Sequence, residues 1–305
     1  MSVTVSERLA AAPIRERGPW LEAGASVIGY LRRNPALIYG LILLLALVMF
    51  VVVGNFLVDV RDARALSVRP LQEPGGRTIL GSDKQGRDMF ALMVAGTPLT
   101  LRIGLIAGFL SVGIGAIVAF VTAYYGGWFD TVMRVFVDTA LTVPGLMVLI
   151  IIVVSVKTTL TPDQMALVIA SLGWLTSARV IRAQVLTIRE RGYVQLARLS
   201  GVSGPEVIFK ELLPNLLPYL VASLVTSVSS AILASIGLEV LGLGSLDSPT
   251  LGMTLYWVNY SAAIINGWWW WWVPPIVVIV VLFMGLFLVT IGLDEFANPR
   301  LRRQV

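Results

Sequence analysis

Long apolar runs alternate with short polar segments along most of the chain. Each run reaches about 20 residues, the length that a helix needs to cross the hydrocarbon core of a membrane. The pattern predicts an all-α polytopic membrane protein with six transmembrane helices. We expect the first five at about residues 36–58, 97–123, 131–156, 161–185 and 214–244, and the sixth to end near 293. Thr161 and Gln164 predict a capped start for the fourth.

The polar segments between the helices complete this organisation. We expect a cytoplasmic N-terminal segment at 1–35, an extracytoplasmic segment at 59–96, a five-helix core at 97–293 with a cytoplasmic loop at 186–215, and a cytoplasmic tail at 294–305. Arginines are more frequent in the segments that six crossings place on the side of both termini. Because basic loops stay on the cytoplasmic side of a membrane, this bias supports the predicted orientation.

The longest polar interruption in the downstream two thirds of the chain lies at 189–215. Its pattern predicts two short helices. The first covers 193–200 and is broken by Gly201, and Ser203 with Glu206 forms a capping box for the second. Two capped helices indicate a compact docking surface for a soluble partner. The alternative is an ordinary loop that its basic side chains hold near the headgroups.

The predicted extracytoplasmic side carries two further features. Ser82 and Gln85 form another capping box, which predicts a helix that lies on the membrane surface or on another subunit. The Gly-Arg-Asp run at 86–88 is by itself typical of a solvated turn. The segment 246–267 is expected to be external. The five tryptophans at 268–272 are expected to form an interfacial aromatic belt, because consecutive helical residues point in different directions.

Acidic side chains fall within two of the apolar runs. Arg134 and Asp138 are four residues apart, so their charges can pair on one helix face. Asp138 then lies about 10 Å along the third helix, where an acid is either a functional group or half of a structural pair. Glu239 lies about 33 Å along the fifth helix and is expected at the far interface.

Hydroxyl groups are most frequent in the fifth predicted helix. We expect this helix to line a translocation path through Ser223, Thr226, Ser227 and Ser230. Small hydroxyls also serve ordinary helix packing, so that alternative stays open. The four glycines between 104 and 115 predict close approach of the second helix to its neighbours.

Composition excludes several classes of function. The chain is 57% hydrophobic and 13% charged, with a mean hydropathy of +0.84. It contains no cysteine and no histidine, which excludes disulfides, thiol nucleophiles, histidine bases and the usual zinc sites. No Gly-Lys-Ser/Thr is present, so the chain has no ATP-binding P-loop. Its basic residues alternate with membrane segments, which argues against nucleic acid. We expect no catalytic residue, metal or cofactor in this chain.

Several motifs together carry a resemblance to a known family. In the central loop, the run Gln195-Leu196-Ala197, followed by Gly201 and Leu213-Pro214, resembles the EAA loop of permease subunits of binding-protein-dependent ABC importers. The further motifs are Leu80-Gly81-Ser82-Asp83, Gly86-Arg87-Asp88, Tyr124-Tyr125-Gly126-Gly127-Trp128-Phe129-Asp130, Val143-Pro144, Leu241-Gly242-Leu243-Gly244 and Asn298-Pro299-Arg300-Leu301-Arg302. In this order they are similar to the C-type permease of dipeptide and oligopeptide importers.

The resemblance implies a type I ABC importer permease fold in a bacterial plasma membrane. It also implies a heterodimer with a related permease, two ATP-binding subunits that hold ATP and Mg, and an extracytoplasmic binding protein that delivers peptides. The residues implied to contact the ATP-binding subunit are Tyr193, Gln195, Leu196, Ala197, Gly201, Val202, Ser203, Leu213 and Pro214.

Two departures from the family pattern and two alternatives qualify this hypothesis. Gln195 replaces the usual acid, and Gly192 stands where a charged residue is common, which weakens the expected electrostatic contact. The cargo could instead be an oligosaccharide or nickel. A secondary transporter would use Asp138 and Glu239 as titrating groups, but the chain shows no inverted repeat.

Overall fold

The computed structural model describes residues 34–76, 78–156 and 159–297. Its helices are α1 Pro35–Leu57, α2 Met89–Tyr125, α3 Gly127–Ala140, α4 Gly145–Ser155, α5 Pro162–Arg189, α6 Gly192–Leu199, α7 Gly204–Val207, α8 Leu213–Val240, α9 Leu251–Tyr260 and α10 Trp269–Ala297. A 3-10 turn covers Val60–Ala63, and a π-helical turn covers Ile208–Leu212. The N-terminal segment through residue 33 and the motif at 298–302 lie outside the described residues.

Within the described ranges, five helices are long and apolar enough to cross a membrane, and α3 with α4 would make a sixth span. The all-α architecture is as predicted, but the single helix expected at 131–156 is wrong, because α3 and α4 are bent by 83°. Pro144 stands at the start of α4. Proline supplies no backbone N–H and disfavours helical geometry at the residue before it, here Val143, so the helix breaks there.

The start of α2 is set by Asp88, eight residues before the predicted position. The Asp88 carboxylate accepts a hydrogen bond from the Ala91 backbone N–H at 2.9 Å, which caps the helix. Met89 and Met93 in the first turns are buried in the protein core. The expected helix on the membrane surface or on another subunit is therefore wrong, because this turn packs inside the chain.

The segment before α2 is folded against the helices. Asp83 and Arg87 form a buried ion pair at 2.5 Å, and the Arg87 guanidinium lies 5.6 Å from the ring centre of Trp257. The interpretation of 86–88 as a solvated turn is therefore wrong. The Ser82/Gln85 capping box is absent, because the Ser82 hydroxyl donates to the Arg69 carbonyl and accepts from the N–H of residue 72.

The tryptophan run joins α10 to this segment. Trp270 and Trp271 are buried, whereas Trp269 is exposed. The Trp270 Nε1–H donates to the Ser82 carbonyl at 3.3 Å, and the Trp268 and Trp271 rings stack with centroids 6.0 Å apart. The aromatic-belt prediction is therefore wrong for Trp270 and Trp271, which serve as core residues.

The segment predicted as external at 246–267 contains α9, which packs into the same core. Leu251 and Val258 are buried. Thr250 caps the helix by accepting from the Met253 N–H at 3.3 Å, and Thr100 of α2 accepts from the Leu251 N–H at 3.0 Å. Helix α9 has ten residues, which is too short to span a membrane, so its hydropathy did not predict a transmembrane helix.

Helix α2 lies at the centre and packs closely on α5 and α8. A Cβ atom at Gly104 would lie 2.3 Å from the Ile232 side chain, and one at Gly115 would lie 2.6 Å from Ser177. These positions confirm the close approach predicted from the glycines. Gly113 is different, because a Cβ there would meet no atom within 4 Å.

Candidate functional site

The central loop, residues 190–212, joins α5 to α8 and contains α6 and α7. Helix α6 ends in a Schellman motif: the Val202 N–H donates to the Ala197 carbonyl at 3.2 Å, and the Gly201 N–H donates to the Arg198 carbonyl at 3.1 Å. The motif requires the positive φ of +78° that Gly201 adopts. Three of the predicted contact residues therefore fix the shape of the loop.

The loop is anchored to the helical bundle on its inner side. Val194, Val207 and Leu212 are fully buried in a cluster with side chains of α2 and α5. The Arg189 guanidinium donates to a backbone carbonyl near the end of α2 at 2.6 Å. The Arg198 guanidinium lies 5.3 Å from the centre of a tyrosine ring in the last turn of α2. These contacts make the loop a rigid extension of α2 and α5.

The outer side of the loop exposes large apolar side chains. The exposed fractions are 41% for Tyr193, 65% for Leu196, 86% for Leu199 and 66% for Phe209. Clustered apolar exposure of this kind marks an interaction surface. Leu199 and Phe209 were not among the residues predicted from the sequence. The apolar spacing of Leu196 and Leu199, three residues apart in α6, was the signal that could have identified Leu199.

The remaining predicted contact residues lie around this surface. Gln195 is exposed, and its side-chain amide donates to the Glu190 carbonyl at 3.3 Å. Leu213 is half-buried and Pro214 is exposed in the first turn of α8. Gln195 therefore stabilises the start of α6. An acid at this position could not donate the same hydrogen bond to the Glu190 carbonyl.

The capping box predicted for α7 is wrong. Ser203 is the exposed N-cap residue of α7, but its side chain makes no capping hydrogen bond to the backbone. The Glu206 carboxylate instead accepts from the Lys210 ammonium at 2.6 Å, one turn further along. Lys210 therefore competes with the Ser203 backbone N–H for the Glu206 carboxylate.

A cleft of about 670 Å³ lies between α4, α5 and α8. All four predicted path residues line it, at positions that share one face of α8: Ser223, Thr226, Ser227 and Ser230. The sequence prediction missed several other polar residues that line the same cleft: Ser111, Thr176, Ser177, Tyr219 and Asp294. Hydroxyls inside apolar helices were their signal, but the facing helices that bring them together could not be predicted.

Ion pairs connect α3 to α5. Arg182 donates two hydrogen bonds to the Asp130 carboxylate, at 2.7 and 2.6 Å. Asp138 pairs with Arg179 at 3.5 Å. The predicted pairing of Arg134 with Asp138 is wrong for the described part of the chain, where no carboxylate lies within 4 Å of Arg134. Arg179 on the neighbouring helix α5 pairs with Asp138, in place of Arg134 one turn away on the same helix.

Glu239 is buried within the protein, and its position near the far membrane interface stays a prediction. Only 3% of it is exposed, and among the described residues its Oε2 atom has no hydrogen-bond partner of good geometry. A Cβ atom at Gly252 would lie 2.2 Å from this oxygen. The absence of a side chain at Gly252 therefore lets Glu239 pack against the start of α9.

A family model described as "Binding-protein-dependent transport system inner membrane component" matches residues 111–303, which include the central loop and most of the cleft. The chain belongs to this family. It is therefore the membrane component of a transport system, consistent with its apolar helices.

The sequences of named relatives match more than half of this chain. The oligopeptide transport system permease protein OppC of Mycobacterium bovis is 33% identical over 174 residues, 57% of this chain and 60% of the relative. The chain thus matches 60% of the length of that mycobacterial protein. The dipeptide transport system permease protein DppC of Bacillus subtilis is 29% identical over 90% of this chain and 84% of its own length.

Solved structures show the same permease fold. A chain of the MetNI methionine ABC transporter, in an inward-facing conformation, aligns with a TM-score of 0.53 at 22% identity. The alignment covers 69% of this chain and 97% of that one. The ABC importer permease fold expected from the sequence is confirmed by this similarity.

Proposed function

We propose that this chain is one of two permease subunits of an ATP-driven importer that carries di- or oligopeptides across a bacterial plasma membrane, with both termini in the cytoplasm. The central loop carries the proposal, because it is rigidly held on its inner side and exposes Leu196, Leu199 and Phe209 on its outer side. One of two ATP-binding subunits would bind this surface, and both would hold and hydrolyse ATP with Mg. The permease itself would supply no chemical step.

Helix α5 provides the connection between the loop and the cleft. Ser177 on the cleft wall and Arg189 at the end of α5, where the central loop begins, are separated by about 18 Å along the helix axis. Because α5 and the loop are packed as one unit, a displacement of the loop tilts the cleft wall. ATP binding and release in the partner subunits would then bias the cleft between two arrangements.

The second permease would complete the translocation path. Met147 and Ile151 on α4 are exposed apolar side chains beside residues of the same helix that line the cleft. A related subunit that covers these side chains would enclose the cleft, so that each subunit supplies half of the path. The path residues of this chain would be Ser223, Thr226, Ser227 and Ser230.

Peptide cargo is supported by the relatives and by the chemistry of the cleft. Two relatives are named as oligopeptide and dipeptide permeases. Hydroxyl groups both donate and accept hydrogen bonds, so they match the repeated amides of a peptide whatever its side chains are. The cleft volume of about 670 Å³ lies within the range of small-ligand sites, roughly 300–1,000 Å³. An extracytoplasmic binding protein would deliver the peptide.

Isolation of the native complex tests this function. The chain is solubilised and purified from its own membranes, and the proteins that accompany it are identified. We expect a second permease, ATP-binding subunits, and ATPase activity that rises when a peptide-loaded binding protein is added. Stimulation by oligosaccharide or nickel instead of peptide would reassign the cargo. Recovery of the chain alone, with ion-dependent flux in liposomes, would contradict the importer assignment.

A matched pair of variants tests the surface itself. Leu199→Ala removes an exposed apolar side chain from the central loop, and Ile265→Ala removes one with a similar exposed fraction from the segment after α9. We expect Leu199→Ala to weaken ATP-subunit binding by about tenfold, the effect of an interface residue worth roughly 1.4 kcal/mol, and Ile265→Ala to leave it unchanged.

A further inference from the structure

Helix α3 has two chemically different faces. Asp130, Arg134 and Asp138 recur every four residues on one side, where two of them pair with α5. Trp128, Val132 and other large apolar side chains of α3 are exposed. A helix with a charged side and an exposed aromatic and aliphatic side is typical of a position at the membrane interface.

The charges between α3 and α5 do not balance. Among the described residues, Arg134, Arg179 and Arg182 lie beside two acids, Asp130 and Asp138, so the group carries one more positive than negative charge. Asp130 is fully engaged with Arg182 at 2.6–2.7 Å, and Arg179 holds Asp138 loosely at 3.5 Å. Arg134 and Arg179 are both exposed, and among the described residues no carboxylate lies within 4 Å of Arg134, so the group has room for a further anion.

A cleft of about 220 Å³ lies at this charge group. Its charged lining consists of three arginines and one acid: Arg134, Arg179, Arg182 and Asp138, the partner of Arg179. Val118 and Thr122 of α2 also line it, within the last two turns before α2 ends at Tyr125. This level is one to two helical turns, about 5–10 Å, from the end of the helix to which the central loop is attached. With the central loop in the cytoplasm, as proposed above, this level is expected near the phosphate groups of the inner leaflet.

We propose that the cleft between α3 and α5 binds the phosphate group of an anionic phospholipid through Arg134 and Arg179. Guanidinium groups bind phosphate oxygens through paired hydrogen bonds, and a phosphate here neutralises the surplus charge. The exposed Trp128 at the start of α3 favours a lipid over a carboxylate of a partner subunit, because aromatic side chains concentrate at membrane interfaces.

Lipid retention by the purified transporter complex tests the site. The complex is reconstituted in nanodiscs of phosphatidylcholine with phosphatidylglycerol, and retained phosphatidylglycerol is counted by native mass spectrometry. A basic residue at an anionic surface contributes about fivefold in affinity, so Arg134→Gln with Arg179→Gln should reduce the affinity for phosphatidylglycerol, and with it retention, by roughly 25-fold. Arg64→Gln, an exposed arginine outside the cleft, should leave retention unchanged. Equal retention by the double variant and the wild type would overturn the proposal.

A second measurement distinguishes a lipid headgroup from free phosphate and does not depend on transport. The thermal midpoint of the complex is compared in phosphatidylcholine nanodiscs alone, with inorganic phosphate, and with phosphatidylglycerol. We expect a rise with phosphatidylglycerol only, abolished in Arg134→Gln and partly kept in Arg134→Lys. An equal rise with inorganic phosphate would reassign the site to a soluble anion and overturn the lipid. No Arg134-dependent rise with either would overturn both. The rise in thermal midpoint does not depend on peptide uptake, so a failure of the proposed transport function would not change it.

Discussion

Substitution of Gly201 separates the shape of the central loop from its side-chain contacts. A Cβ atom at Gly201 would meet no atom within 4 Å, so steric crowding does not contribute. The cost arises from the φ of +78°, which amounts to about 1–2 kcal/mol for an ordinary L-residue. Asparagine adopts this conformation more readily, which makes Gly201→Asn a matched control.

Gly201→Pro is expected to disturb the loop more than Gly201→Ala, because it also removes a backbone hydrogen bond. Proline fixes a negative φ and lacks the N–H that donates to the Arg198 carbonyl at 3.1 Å. Loss of that hydrogen bond costs about 1 kcal/mol, and because proline cannot adopt the φ of +78°, the turn itself is lost rather than strained. Because Val194 and Val207 stay buried against α2 and α5, we expect the complex to assemble while the Schellman motif is lost.

The assay compares wild type, Gly201→Asn, Gly201→Ala and Gly201→Pro in proteoliposomes containing the whole importer. We expect substrate-stimulated ATPase activity and peptide uptake close to wild type for asparagine, reduced for alanine and lost for proline, with equal assembly by size-exclusion chromatography. Wild-type uptake by Gly201→Pro would refute the reasoning. So would equal damage from asparagine and proline, because backbone conformation would then not explain the loss.

Three further substitutions test other parts of the structure. Asp83→Asn leaves Arg87 buried without its acid and should destabilise the protein by about 3–5 kcal/mol, measured by denaturant unfolding in detergent. Gly252→Ala places a methyl group against the buried Glu239 carboxylate and should lower the thermal midpoint by several degrees, because overpacking costs about 1–3 kcal/mol. Ser227→Trp should fill the cleft and reduce uptake, measured with labelled peptide, at unchanged basal ATPase activity.

Each of these three substitutions has a matched control substitution in the same chain. Asp59→Asn removes an acid that takes part in no salt bridge among the described residues, and Gly113→Ala adds a methyl group where no atom lies within 4 Å. Leu233→Trp enlarges an exposed residue of α8 that does not line the cleft. The interpretation of a site fails where its control is as harmful as the test substitution.

Local signals in the sequence predicted features that depend on neighbours along the chain. The Thr161/Gln164 capping box forms as expected, with hydrogen bonds of 2.9 and 3.3 Å in the two directions. Helix α6 ends at the turn formed by Gly201, as the conformational freedom of glycine indicated. The hydroxyls of α8 share one face because helical spacing alone decides that arrangement.

Features that depend on distant parts of the chain could not be predicted. Ser82 left its capping box because residues 69 and 72 and Trp270 engage it. Asp138 left Arg134 because α5 brings Arg179 beside it. Trp270 lies in the core because the segment before α2 packs against it, and no local pattern specifies that contact.

The most direct measurement is photo-crosslinking from Leu199. The chain contains no cysteine, so Leu199→Cys carries a single thiol that a benzophenone maleimide labels uniquely within this chain. Irradiation of the assembled complex should give an adduct between this chain and an ATP-binding subunit, with a yield that changes when ATP is bound. Ile265→Cys should give no such adduct. The absence of an ATP-subunit adduct from Leu199→Cys in an assembled, active complex would contradict the assignment of the central loop as the coupling surface.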